Sequence, residues 1–397
     1  MSDTHDDVRS GADADVHADV RADTRADVHA DAVSAPRRPW WHWRRLTRGR
    51  LRPALAAAVA GAVLGGAGVA WQTGTGPFTD ERACWGALGK DDVAALFGGK
   101  TDIRASEVQL GRDRVNTGAP SGQCRLQSPR GRRITVQVHQ LDVRQGGSGE
   151  RWADEFLSAR LTPLGGGLLG MASDTRAWLA VPDGCTGRPE GTDGPLVFDM
   201  ETGWTVYEDE VGTGQRDQLA RAVVTLVNGF LADEGCEGVL ADPVARMAEP
   251  ARFQDREAED LCGIEGLRLP GKGRSTFDRP LVTNGEGPVR TCDSDVVFDR
   301  PGLRLMTVED PRLSELYKGS ALREGERIEA TGGTGGRGFI SDDLGLYQAA
   351  CQTGDVTFLV RSDEESSAAD IRALLPRYVA AEADRIGCGP LRLTLPG

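Results

Sequence analysis

The chain has 397 residues, of which 39% are hydrophobic and 27% are charged, and its formal net charge is −13 at pH 7. This length and apolar content suit more than one folded domain. Residues 1–52 carry 10 Arg and 9 Asp, a net charge of +1, so the rest of the chain holds −14. Such an acidic part disfavours the binding of polyanions such as nucleic acid or teichoic acid.

Residues 1–52 are predicted to be a disordered cytoplasmic tail. Residues 12–32 repeat a short unit rich in Ala and Asp, and no helical or strand period in it could bury an apolar face. Histidines recur in this repeat, but flexible Asp/His repeats bind metals weakly, so no metal site is expected. The Arg-rich end, 37–52, is predicted to contact anionic lipid headgroups, with about 1 kcal/mol for each charge near the surface.

Residues 53–71 run for 19 residues without a charge, which predicts a transmembrane signal anchor over 53–72. At about 1.5 Å per residue the run spans roughly 28 Å, close to the hydrocarbon thickness of a bilayer. Arginines precede the run, whereas Asp80 and Glu81 follow it. The positive-inside rule then places the N-terminus in the cytoplasm and the residues that follow the anchor outside the cell membrane, with membrane lipid as the partner of 37–72.

A cleavable signal peptide that ends at Gly68-Val69-Ala70 is the alternative for this segment. Its small-x-small pattern fits a cleavage site, but the polar lead and the apolar run are both long for an ordinary signal sequence.

The eight cysteines all follow the apolar run and fall into two quartets. The first quartet is Cys84, Cys124, Cys185 and Cys236, and the second is Cys262, Cys292, Cys351 and Cys388. This distribution predicts a disulfide-stapled module, duplicated in an oxidising compartment. Four cysteines allow three pairings in each quartet. The favoured pairing joins the first cysteine to the second and the third to the fourth: Cys84–Cys124, Cys185–Cys236, Cys262–Cys292 and Cys351–Cys388.

The local sequence around the two quartets predicts two extracytoplasmic modules, 80–240 and 259–397, joined by a charged linker at 241–258. After the second cysteine of each quartet, a polar turn is followed by the alternation of a half-buried strand. Each quartet ends in an amphipathic helix followed by Gly-Cys, which suits a helix C-cap. The second module has a shortened front, because LCGIEGLRLPGK stands where the first module has the predicted helix CWGALGKDDVAALFGG.

Ahead of the third cysteine, both modules contain a glycine-rich stretch, a Ser-Asp pair and an aromatic residue. The stretches are 164–170 and 331–338, and the aromatic residues are Trp178 and Tyr347. Strands follow the third cysteine. Each module is therefore predicted to be an α+β unit with helices packed on a mainly antiparallel sheet.

Three features of the chain resemble secreted actinobacterial modules. They are a Cys ahead of a short helix with V-x-x-L-F-G (Val93 to Gly98), a second Cys before an alternating strand, and a last helix that ends in Gly-Cys. Those are lipoprotein domains of unknown function and the related PknH-like extracellular sensor domains of membrane Ser/Thr kinases. The resemblance covers most of 80–397, twice, and implies an extracytoplasmic ligand-binding or sensing fold with two disulfides per unit. The cytoplasmic part here is too short for a kinase domain, and no functional residues carry over.

Catalytic motifs are not evident, so no catalytic, cofactor-binding or metal-binding residues are predicted. His139 is the only histidine after the membrane segment, and it is expected to be an exposed strand residue. The stretches 164–170 and 331–338 lack the Lys-Ser/Thr of a phosphate loop, but they are the first place to expect a ligand cleft.

The sequence therefore predicts a single-pass membrane protein whose duplicated extracytoplasmic modules bind a ligand or a partner, without enzymatic activity. An envelope scaffold or assembly protein is one alternative. A cell-wall hydrolase that uses carboxylates alone is another, and it would require an acidic cleft lined by aromatics such as Trp152, Trp178 and Trp204.

Overall fold

The structure of the chain is a computed structural model. It describes residues 82–112, 119–141, 155–187, 194–203, 213–243, 246–254, 260–268, 279–297, 300–318, 326–331, 335–362 and 368–396. The predicted tail 1–52 and the predicted membrane segment 53–72 lie outside these ranges. Within these ranges, no helix is long and apolar enough to cross a membrane.

The first half of the described chain builds a seven-stranded antiparallel sheet, the first sheet. Its elements are α1 (Lys90–Leu96), β1 (Arg104–Arg112), β2 (Pro120–Gln127), β3 (Arg133–Gln140), β4 (Thr162–Pro163), β5 (Gly170–Ala172), β6 (Arg176–Ala180), α2 (Asp183–Thr186), β7 (Leu196–Glu201) and α3 (Thr213–Asp233).

The second half builds an eight-stranded antiparallel sheet, the second sheet. Its elements are a 3-10 turn (Leu261–Gly263), β8 (Leu281–Val282), β9 (Val289–Val297), β10 (Arg300–Val308), α4 (Pro311–Ser314), a second 3-10 turn (Glu315–Tyr317), β11 (Glu326–Thr331), β12 (Gly336–Ile340), β13 (Leu344–Cys351), β14 (Gly354–Ser362), α5 (Ala368–Arg385) and β15 (Arg392–Thr394).

The two sheets have the same strand order. The first reads β1-β2-β3-β7-β6-β5-β4, and the second reads β8-β9-β10-β14-β13-β12-β11, with β15 added beside β11. All strand pairs are antiparallel. The mixed α+β fold is as predicted, and the shared topology supports the duplication.

Two backbone details recur at equivalent positions of the halves. The first cysteine of each quartet has a left-handed backbone, with φ of 53° at Cys84 and 61° at Cys262. Gly170 in β5 pairs with Leu179, and Gly338 in β12 pairs with Tyr347. A Cβ on either glycine would collide with the backbone of the next strand, so both positions require glycine.

All eight cysteines are paired as favoured from the sequence. The bonds are Cys84–Cys124, Cys185–Cys236, Cys262–Cys292 and Cys351–Cys388, and they close segments of 40, 51, 30 and 37 residues. On the chain-entropy account, loops of this size stabilise the fold by about 3–4 kcal/mol each. The last bond ties the end of α5 to β13, a central strand of the second sheet, as the sequence predicted.

Each sheet buries one face against its own long helix. In α3, Leu219, Val223, Leu226 and Phe230 recur at three- and four-residue intervals and pack against the first sheet. The corresponding stripe of α5, which begins at Ile371, packs against the second sheet.

The opposite faces of the two sheets pack against each other. One apolar cluster contains Met171, Trp178 and Val197 of the first sheet together with Met306 and other residues of the second. The layers therefore run helix, sheet, sheet, helix. The two halves share a buried core, which the separate modules predicted from the sequence did not include.

The register of β6 and β13 differs from the sequence alignment by one residue. Leu179 pairs with Phe198 across β6 and β7, and Tyr347 pairs with Phe358 across β13 and β14. Tyr347 is therefore equivalent to Leu179, whereas the sequence pattern predicts that it corresponds to Trp178. Because a shift of one residue changes the face, Tyr347 lies beneath α5 while Trp178 lies between the sheets.

The predicted linker 241–258 is docked over residues 247–254. Met247 joins the core beneath α3, and the Arg216 side chain donates to the Ala248 carbonyl at 2.7 Å. Further on, the Gln254 N–H donates to the Pro280 carbonyl at 2.8 Å. The segment joins the halves while packing on both.

The long helices attach to the two sheets by different chemistry. Phe230 of α3 packs on Phe198, with ring centroids 5.5 Å apart. Counted back from the Gly-Cys ends, its counterpart in α5 is Glu382, which is 1% exposed. Glu382 accepts from the Thr307 hydroxyl at 2.9 Å and pairs with Arg290. The halves have therefore diverged in their cores.

Candidate functional site

Among the described residues, no apolar cluster covers the second face of the first sheet along β1, β2 and β3, although Thr135 on this face is 7% exposed. Cys124 and Leu126 are fully buried beneath α3, so Arg125 between them points to the other side of the sheet. We call this side of the three strands the open face. By strand alternation and register it consists of Arg104, Ser106, Val108, Gln123, Arg125, Gln127, Arg133, Thr135, Gln137 and His139.

The open face is polar and basic. Arg104, Arg133 and Gln137 are exposed, and Val108 on the edge strand is 62% exposed. Three arginines and no carboxylate belong to the face as defined, although the chain as a whole carries −13. Local charge and overall charge therefore have opposite signs at this surface.

The equivalent face of the second sheet is covered by a segment of the first half. In the segment 155–163, the Leu157 carbonyl accepts from the Thr291 hydroxyl at 2.6 Å, and the Ala159 N–H donates to Asp293 Oδ2 at 3.0 Å. Phe156, also in this segment, enters the core between the sheets. In the second sheet, β9 and β10 thus bind backbone groups of a turn segment through side chains of their inner face.

A buried ion pair supports this covered face. Asp293 and Arg304 are 0% and 1% exposed, and Arg304 Nε and Nη2 donate to the two carboxylate oxygens at 2.6 and 3.0 Å. The bidentate geometry and the Ala159 N–H together compensate the burial of both charges.

A cluster of charges borders the open face on β6 and β7. Arg176 lies against three carboxylates, Asp199 at 2.6 Å, Glu155 at 2.7 Å and Glu201 at 3.0 Å. Its register partner Glu201 also pairs with Thr135 of the open face. The cluster has one cation for three acids, and Asp199 Oδ1 and Arg176 Nε are buried without a hydrogen-bond partner among the described residues.

Burial controls the titration of this cluster. It raises the pKa of Asp199 above the ordinary value, with Arg176 and His139 opposing the rise, and it also raises the pKa of Glu201. Burial lowers the pKa of His139, against the attraction of Asp199. His139 is therefore half-buried beside a carboxylate, where an exposed strand residue was expected.

The two glycine-rich stretches lie at the other end of their sheets. Residues 164–169 connect β4 to β5, and Gly165, Gly166 and Gly167 there all have left-handed φ values. The stretch 331–338 runs from the end of β11 into β12, and the part 332–334 lies outside the described residues. Because β4 and β1 are opposite edges of the first sheet, the first stretch does not adjoin the open face.

Of the three aromatics named for a hydrolase cleft, only Trp178 is described, and it is fully buried. It stacks on Phe156 with ring centroids 4.4 Å apart, and its indole N–H donates to the Phe156 carbonyl at 2.8 Å. Trp152 and Trp204 lie outside the described ranges. Across those ranges, no group of three His, Cys, Asp or Glu side chains is arranged to hold a metal ion.

Sequence reasoning missed the open face, the Arg176 cluster and the buried Asp293–Arg304 pair. A signal was present, because Arg176 and Asp199 occupy inward positions in otherwise apolar strands. Charges at such positions need partners across the sheet. The register that supplies those partners was not available from the sequence alone.

Comparison with known proteins adds no relative: no family model, no curated protein and no solved structure matches this chain.

Proposed function

We propose that the chain is a single-pass membrane protein whose extracytoplasmic body binds a partner on the open face of the first sheet and carries out no catalysis. One observation carries the proposal. Two sheets with the same topology pack together, and a segment of the first half covers the inner face of β9 and β10, whereas no equivalent contact of a described segment with β2 and β3 is seen. The face that is occupied by the chain itself in the second sheet is therefore available in the first sheet for a separate partner molecule.

The location part of the proposal rests on the four disulfides and on the sequence of the N-terminal region. Disulfides persist in oxidising compartments; here Cys185–Cys236 joins α2 to the end of α3, and Cys351–Cys388 joins β13 to the end of α5. The apolar run 53–72 and the arginines before it supply the anchor and the orientation.

A photo-crosslinking amino acid placed at Gln137 of the full chain, in the cells that make it, tests the binding part. Gln137 is exposed in the middle of β3 on the open face, and Glu234, exposed just after α3, provides the matched control position. We expect a discrete covalent adduct from Gln137 that the Glu234 position does not give. The proposal fails if the two positions give the same adducts or if Gln137 gives none.

A further inference from the structure

Equivalent positions of the two inner faces carry opposite charges. Cys124 of β2 and Cys292 of β9 are the second cysteines of their quartets, so the residue after each is equivalent. That residue is Arg125 in the first sheet and Asp293 in the second. Asp293 accepts a backbone N–H from the segment that covers it, whereas a guanidinium can only donate.

Arg125 adds its charge to the open face from a half-buried position. Its Nε is buried without a hydrogen-bond partner among the described residues, so this atom is not itself presented to solvent. The neighbour on the other side of Cys124 is Gln123, which is equivalent to Thr291, the residue that binds a backbone carbonyl in the second half. Compared with the second sheet, the open face therefore retains a polar side chain that can bind a backbone group, Gln123 in place of Thr291. It has a cation, Arg125, in place of the carboxylate of Asp293.

Two more arginines extend the same charge along the face. Arg104 of β1 and Arg133 of β3 both pair with Gln127 of β2, so the two guanidinium groups flank one strand. No described carboxylate belongs to the open face itself, while Glu201 on the bordering strand β7 interacts electrostatically with Arg133. Complementary charge gives specificity at such a surface more than it gives affinity.

We infer that the partner of the open face is an acidic polypeptide segment, bound through Arg104, Arg125 and Arg133. This inference rests on the function proposed above and adds the chemistry of the partner. Polar side chains bind its backbone groups, as Thr291 and Asp293 bind the Leu157 carbonyl and the Ala159 N–H on the second sheet, and its carboxylates face the arginines.

The test uses the full chain in detergent micelles and two labelled peptides of about eight residues, since β2 has 8 residues. One peptide alternates Glu and Ser, and the other alternates Lys and Ser. Binding is measured by fluorescence anisotropy at low salt, where exposed ion pairs are least screened.

The decisive variant reverses the charge of the face, as R104E/R125E/R133E. Each arginine–carboxylate contact changes affinity by about 1.5- to 5-fold, so the loss of three contacts predicts a complex with the Glu-Ser peptide that is roughly 3- to 100-fold weaker. We also expect the variant to gain binding of the Lys-Ser peptide. The control R221E/R246E/R377E reverses three exposed arginines elsewhere, with the same change in net charge, and is expected to bind as the unmodified chain does.

Three results would overturn the inference: no binding of the Glu-Ser peptide by the unmodified chain, equal weakening in the control, or unchanged binding in R104E/R125E/R133E. The crosslink at Gln137 separates this failure from failure of the proposed function. If the adduct forms in both the unmodified chain and the charge-reversed variant, the open face binds a partner that is not selected by acidity. If the unmodified chain forms no adduct, the binding function itself is refuted.

Discussion

Replacement of Asp293 by Ala should destabilise the body more than any surface change, because it breaks the covered face at its buried charge. The substitution removes a carboxylate that accepts from Arg304 Nε at 2.6 Å, from Arg304 Nη2 at 3.0 Å and from the Ala159 N–H at 3.0 Å. Arg304 is 1% exposed and would lose its carboxylate. Removal of one partner of a buried ion pair costs about 3–5 kcal/mol of unfolding free energy.

Urea unfolding of the full chain in detergent, followed by near-UV circular dichroism, measures this cost. Asp242→Ala, at an exposed position, is the matched control and should change the unfolding free energy by less than about 0.5 kcal/mol. The double variant Asp293→Leu/Arg304→Met should be more stable than Asp293→Ala alone, because it leaves no buried cation without its carboxylate. The reasoning is refuted if Asp293→Ala matches the control, or if the double variant is the less stable of the two.

Three further outcomes follow from the fold, the charge cluster and the sequence. Gly338→Ala should cost about 1–3 kcal/mol of unfolding free energy, because the added Cβ would collide with the backbone of β13. The control Gly214→Ala, at an open helical position, should be neutral or stabilising. Similar urea midpoints for the two variants would contradict this. The raised pKa of Asp199 means that its contribution to stability is full below its unfolded pKa of about 3.9 and is lost as pH rises through the folded pKa. Asp199→Asn should therefore remove a fall in stability above about pH 4. Thermal unfolding at a series of pH values checks this, and plots of Tm against pH that run parallel for the two proteins would refute it. All four lysines follow the apolar run, so a membrane-impermeant amine reagent should label the chain in intact cells, and labelling only after lysis would contradict the orientation.

Features governed by local sequence could be predicted. The cysteine spacing and the alternation around it gave the pairing, the strands flanking each second cysteine and the Gly-Cys helix ends, because each depends on a few neighbouring residues. The equivalence of the two halves also followed from their local patterns.

Features that depend on contacts between distant elements could not be derived in the same way. Strands such as β6 and β14 are buried on both faces, and their near-continuous apolar runs were a signal that both faces are covered. Such a run does not say what covers the second face. The packing of one sheet on the other could not be predicted from the sequence. The same is true of the open face on β1–β3.

The alignment of Trp178 with Tyr347 shows how sensitive a strand is to register. The two aromatics are one position apart in equivalent strands, and one position is enough to place them on opposite faces. The candidate site was missed for a related reason, because Arg104, Arg125 and Arg133 come from three strands and meet only through their pairing.

Thiol labelling at two equivalent positions tests the central claim most directly. Gln137 and Met306 each follow the residue that pairs with the second cysteine of their quartet, yet Gln137 is exposed and Met306 is 1% exposed. All native cysteines are in disulfides, so a new cysteine gives the only maleimide signal. We expect Gln137→Cys to react rapidly in the purified chain and more slowly in native membranes, where a partner covers it, and Met306→Cys to resist labelling in both. Equal reactivity of the two positions, or no protection of Gln137→Cys in the membrane, would contradict the account.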